Sequence, residues 1–148
     1  MLVMSEIDVS ASQKGCAPFK PGPAPAGSPQ RAKRRAAYRT GVDAEDHAAT
    51  MLAGRGYEIL SRRYRSPVGE IDLIATNGAH LAFVEVKARR TLDDAAWAVT
   101  PRQQRRIAGA AEHWLQSFPE YSDRDMSFDA VLVAPRCDAE YISDAFRL

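Results

Sequence analysis

The chain has 148 residues, which suits one domain of roughly 100 residues with a buried core plus a tail, and its formal net charge is +1. That balance conceals a split: residues 1–40 hold seven Lys/Arg against two acids, whereas residues 41–148 hold thirteen against seventeen. A globally basic nucleic-acid-binding domain is therefore not what the composition describes, and Cys16 and Cys137, with no CxxC and no Cys/His cluster, suggest neither a disulfide framework nor a zinc site.

The N-terminus, MLVMSEIDVS, carries acids where a signal peptide needs positive charge, and no apolar run approaches the about 20 residues needed to cross a bilayer. A soluble protein of the reducing cytoplasm, with no membrane partner, is the expectation. From Ala11 to about Thr40 the composition shifts to Pro, Gly, Ala, Ser and Lys/Arg. Such a stretch has too little apolar surface to offset its ordering entropy, so residues 1–40 read as a disordered basic tail and 41–148 as the folded domain. The RAKRRAAYR cluster is a solvated run that can touch phosphates.

Near Gly41 an amphipathic helix is predicted, with Val42, Glu45, Ala48, Ala49 and Leu52 along one face and Gly54 and Gly56 at its end. Glu45 is the odd member, a carboxylate on the core-facing stripe; Asp46 and His47 fall toward solvent. A strand follows over Tyr57–Arg65, and its three arginines, Arg62, Arg63 and Arg65, require an open edge or a cleft. Next comes a hairpin, GEIDLIATNGAHLAFVEVKA, with Asn77-Gly78 as its turn signal. Arg89 to Ala98 reads as a loop. Thr100-Pro101 announces a helix to about Ser117 whose buried stripe is Ile107, Ala110, Ala111, Trp114 and Leu115 and whose entrance is basic. After a loop over Pro119–Ser127, a strand over Phe128–Ala134 and a short closing element over Tyr141–Phe146 complete an α/β sandwich, helices packed on a central sheet.

The hairpin carries charges that its apolar composition does not explain. Alternation along Leu81–Ala88 puts Phe83, Glu85 and Lys87 on one face and Ala82, Val84 and Val86 on the other, with Glu85 and Lys87 about 7 Å apart. In the preceding strand, alternation puts Ile71 and Leu73 on one face and Glu70, Asp72 and Ile74 on the other. Asp72 and Glu85 then lie side by side, within reach of Glu45. Two carboxylates about 4 to 5 Å apart repel by roughly 3 to 4 kcal/mol at an effective dielectric of about 20, more than one exposed lysine pair returns. A divalent cation with oxygen ligands offsets that repulsion; a plain ion-pair network on an exposed face is the alternative.

Asp72-x12-Glu85-Val86-Lys87 resembles the PD-(D/E)xK nuclease signature. The wider text, from AEDHAATML through GEIDLIA, FVEVKAR, VTPRQQRR and FDAVLV to the final DAF, closely resembles the YraN-like family of uncharacterised bacterial proteins, often described as related to Holliday junction resolvases. The match covers about residues 41 to 148. It implies a restriction-endonuclease-like mixed central sheet flanked by helices, and Mg²⁺ or Mn²⁺ held by Asp72, Glu85, the Val86 carbonyl and Glu45. It further implies catalysis by Lys87 with Asp72, Glu85 and Glu45, and nucleic-acid contacts from Gln103 and Arg102. DNA is the implied partner, RNA is not excluded, and a homodimer is the common assembly. The chain departs from the pattern at Gln103, where many relatives carry lysine, at Ser127 and Arg63, and at Trp97 in place of a frequent Phe-Gly pair. Two functions remain in view: a metal-dependent endonuclease acting on DNA, with branched or repair intermediates among its candidate substrates, and a non-catalytic nucleic-acid-binding or accessory module.

Overall fold

The computed structural model describes residues 29–93 and 99–147. The expectations for residues 1–28, and those for Trp97, lie outside these segments.

The first helix, α1 (Pro29–Gly54), begins well before Gly41, so part of the stretch expected as tail is helical. Its alanines and arginines are strong helix formers, and one internal glycine, Gly41, costs only about 1 kcal/mol. The helix stops where Gly56 takes φ +85. There the Tyr57 N–H reaches the Leu52 carbonyl and the Gly56 N–H the Ala53 carbonyl, closing the free end.

Five strands follow in spatial order β1 (Glu58–Arg65), β2 (Glu70–Thr76), β3 (His80–Ala88), β4 (Asp125–Val133) and β5 (Glu140–Phe146). Only β3 and β4 run parallel; the other neighbours are antiparallel. A parallel pair needs a long crossover, and α2 (Pro101–Ser117) supplies it. Thr100 caps α2 by accepting the Gln103 N–H, with Pro101 in the first turn as expected. A single 3-10 turn, Pro119–Tyr121, lies between α2 and β4.

The helices take opposite faces of the sheet. Under α1 the core is small, with Ala48, Ala49 and Leu52 against Leu73, Ala75, Ala82, Val84 and Val131. Under α2 it is large and aromatic, with Ile71, Ile74, Phe83, Ile107, Trp114 and Phe146. Phe83, Phe128 and Phe146 stack in a row, and Trp114 sets its ring edge against Phe83. This is an α/β fold, a mixed five-stranded sheet flanked by helices. Among the described residues no helix is long and apolar enough to cross a membrane.

One expected alternation fails, and it fails at Asp72. Ile71 packs on the α2 side and Leu73 on the α1 side, so the two do not share a face. Strand β1 switches at the same level: Arg62 reaches Asp46 on α1, whereas Tyr64 packs with the α2-side core and bonds His113. The β1–β2 ladder skips Arg63, opposite Asp72, and Arg63 adopts φ +51. A non-glycine residue in that left-handed region costs on the order of 1 kcal/mol. The kink turns Asp72 out of the regular ladder.

Candidate active site

The β2–β3 ladder runs from Thr76↔Leu81 to Leu73↔Val84 and stops there. Beyond that point Val86 has an N–H without a strand partner on the β2 side, and the Asp72 carboxylate takes it at 2.8 Å. A side chain thus replaces a backbone acceptor where the two strands part. The opening becomes a cavity of about 810 Å³ whose lining includes Glu45, Glu70, Asp72, Glu85, Val86, Lys87 and Gln103.

Glu85 lies on the α2 face with Phe83 and Lys87, as alternation predicts, and only 6% of it is exposed. Its Oε1 accepts from Lys87 Nζ at 2.8 Å and from Gln103 Nε2 at 2.6 Å. A buried carboxylate requires such donors, because desolvation of an unpaired charge is far more costly than one lost hydrogen bond. Gln103, expected to face nucleic acid, is committed in this state to Glu85. The capped first turn of α2 is what delivers it.

Asp72 has the opposite problem. Burial, then the charge of Glu85, push its carboxyl up to about 7; the Val86 N–H pulls the other way, and Glu45 adds a further upward push. Near neutral pH Asp72 is therefore close to half protonated.

Glu45 does approach from α1, but its two oxygens are engaged by Arg63, at 2.6 Å to Nε and 3.2 Å to Nη2. The kink at Arg63 is what aims the guanidinium there. Glu70 is exposed at the strand end and pairs loosely with Arg65 at 3.6 Å. Arg102 lines a second cavity of about 350 Å³, which shares Glu70, Glu85 and Gln103 with the first. The structure thus gathers Asp72, Glu85, Lys87, Glu45, Val86 and Gln103 around one cavity and places Arg102 around the adjoining one.

The partnership of Arg63 with Glu45 was not readable from spacing, which asked of the three arginines of β1 only an open edge or a cleft. Each found an acid: Arg62 with Asp46, Arg63 with Glu45, Arg65 with Glu70. Asp129, fully buried in β4, was also missed. The signal for it was present, an aspartate inside FDAVLV.

Do these residues suit a divalent cation? Among the described residues no group of three His, Cys, Asp or Glu side chains stands ready as a metal cage. Mg²⁺ needs less, one or two carboxylates with water and substrate phosphate completing its shell. Asp72 and Glu85 form such a pair, and the proton that Asp72 takes up near neutral pH is what a cation would displace. The donor set fits.

A sequence model of the uncharacterised protein family UPF0102 matches residues 44–133, which span every element from the body of α1 to the end of β4. The chain belongs to this family. Two relatives are UPF0102 proteins of Bradyrhizobium sp. strain ORS 278 and Rhodopseudomonas palustris strain BisA53. The first is 54% identical over 127 residues, covering 82% of this chain and 90% of its own length. The second is 51% identical over 127 residues, covering 86% and 95%. The family assignment agrees with the YraN-like resemblance. Among solved structures, Hjc of Archaeoglobus fulgidus, a Holliday junction resolvase, aligns with a TM-score of 0.43 at 17% identity, over 70% of this chain and 76% of that one. At that score the likeness carries no weight for function.

Proposed function

We propose that the chain is a Mg²⁺- or Mn²⁺-dependent endonuclease that hydrolyses DNA phosphodiester bonds, on branched or repair and recombination intermediates. The observation that carries this reading is the Asp72–Glu85 pair beside Lys87, set where β2 and β3 separate into an open cavity. Asp72, Glu85 and the Val86 carbonyl are the candidate metal ligands, with Glu45 behind them. A bound divalent cation would supply positive charge and Lewis acidity toward a phosphate oxygen.

The chain's own groups do the rest. The Val86 N–H fixes one oxygen of Asp72, leaving the other directed by its neighbours. Gln103 and Lys87 both hold Oε1 of Glu85, which orients that carboxylate. Lys87 is an ammonium at the cavity wall. It donates a hydrogen bond to the attacking water or to the phosphate oxygens, where negative charge develops as phosphorus becomes five-coordinate. Arg63 balances the charge of Glu45, so that the cleft does not present three uncompensated acids to an anionic substrate.

A second reading has its own support. Every carboxylate in the cleft already has an internal donor: Val86 N–H, Lys87, Gln103 or Arg63. Such a satisfied network also suits a nucleic-acid-binding or accessory module without catalysis. The deciding experiment is a panel of duplex, single-stranded, flap and four-way DNA, with an RNA strand included, incubated with each metal in turn. Wild type is expected to nick or cut at least one substrate. Asp72→Ala should lower the rate by at least ~10³-fold and Lys87→Ala by ~10²–10⁴-fold, with both variants folded. Equal cleavage by all three proteins points to a contaminant and sinks the site; metal binding with no cleavage favours the second reading. Sedimentation with four-way DNA tests whether two copies act together, and fractionation tests a cytoplasmic location.

A further inference from the structure

The arginines of α2 stand apart from those elsewhere. The arginines of β1 and Arg147 pair with acids, Arg55 and Arg124 lie over tyrosine rings, and Arg89 bonds a backbone carbonyl. Among the described residues Arg90, Arg102, Arg105 and Arg106 make no such contact, and three of these fall in the first two turns of α2.

That placement is electrostatically unfavourable. The first turn of α2 contains no acid, and cations near a helix N-terminus oppose its dipole. Arg102 and Arg106, four residues apart, share a helix face about 6 Å apart along the axis and repel each other by a few tenths of a kcal/mol. Both are exposed, and both line the cavity of about 350 Å³ that also contains Glu85 and Gln103. The backbone of Arg106 is fixed from the other side, because Gly69 sits so close that a Cβ there would stand 2.3 Å from the Arg106 carbonyl oxygen. The pair is thus held in place at the wall of a cavity that opens directly beside the carboxylates.

We propose that Arg102 and Arg106 form a phosphate-binding subsite that takes the backbone phosphate next to the one addressed at Asp72 and Glu85. This rests on reading the site as one that acts on a phosphodiester. Planar guanidiniums suit phosphate oxygens, donating two hydrogen bonds at a time. The subsite gives the substrate a direction: the strand must extend past the scissile bond along the first two turns of α2. Gln103, between the two arginines in sequence, stays with Glu85, so the helix turn divides its labour between holding the carboxylate and holding the strand.

The test separates binding from cutting. Fluorescein-labelled duplex and single-stranded DNA are titrated by anisotropy with Mg²⁺ on a Lys87→Ala background, across a range of salt. Adding Arg102→Ala and Arg106→Ala together should weaken binding at least ~10-fold and reduce the log–log salt slope on duplex DNA by about 0.9, the value for one lost phosphate contact. Arg102→Lys with Arg106→Lys should keep most of that slope, and Arg105→Ala, on the same helix but outside the cavity, should change it by less than about half a unit. An unchanged slope in the double alanine variant, or an equal loss from Arg105→Ala, overturns the subsite. If the arginine dependence appears but otherwise wild-type protein cuts nothing, the subsite stands and the nuclease reading falls. If no DNA binds, both fall.

Discussion

Two aspartates interrupt apolar strands of this sheet, and their surroundings differ in one respect. Asp129 in β4 is fully buried, and each oxygen has a neutral donor: the Tyr141 hydroxyl on one and the Asp144 N–H at 2.9 Å on the other. Asp72 in β2 has a single backbone donor and two acids close enough to raise its pKa. The first arrangement is closed. It pins β5 where the β4–β5 register shifts and Asp144 takes φ +52, and it pushes the Tyr141 phenol above its ordinary range through burial and the bond to Asp129. The second arrangement keeps an excess of negative charge. A satisfied buried acid holds strands together; an acid crowded by others has its pKa raised and, under the function proposed above, is where a cation would sit.

Exchanging their environments by mutation gives the sharpest contrast. Asp129→Ala strands both the hydroxyl and the Asp144 N–H, and should lower stability by about 3 kcal/mol in urea unfolding. A loss below about 1 kcal/mol would break the contrast by showing that the β5 bend stands without its pin.

The reverse sign is expected at Asp72. Its carboxyl titrates near 3.8 when unfolded and about 7 when folded, so between those values the folded chain holds more protons. Stability is therefore fully present below about pH 4 and falls as pH rises toward and through 7. In EDTA, Asp72→Asn should flatten that decline and be more stable than wild type at pH 8 by on the order of 2 kcal/mol, since the open cavity lets water share the relief. Added Mg²⁺ should raise the wild-type melting temperature and leave Asp72→Asn unmoved. A wild type whose stability is level from pH 4 to pH 8 by urea unfolding would contradict the charge crowding. The smallest effect belongs to Tyr141→Phe, about 1 kcal/mol, because Asp129 keeps the Asp144 N–H.

How legible was each aspartate beforehand? Local chemistry read well. Asn77-Gly78 marked the hairpin, Thr100-Pro101 the start of α2, and alternation put Phe83, Glu85 and Lys87 on one face. Alternation misplaced Ile71 and Leu73, because a kink changes which face follows without changing residue types. The helix start was set too late, since a polar, arginine-rich stretch shows no core-facing stripe yet extends a helix by propensity. A lone acid in an apolar strand announces that a partner exists and not where it comes from. One partner of Glu85, Lys87, is its strand neighbour, but the other lies 18 residues on, in a helix that must first cross over. That of Asp129 lies in a strand after it.

The close seat of Gly69 on α2 has a mechanical meaning. There is no room for a methyl group between that loop and the Arg106 carbonyl, and Val68 rests on Gly109, so the loop is seated directly on the helix. Glu70 follows Gly69 directly and Asp72 comes two residues later, so the seat of α2 helps set where both carboxylates stand, through backbone in contact with backbone.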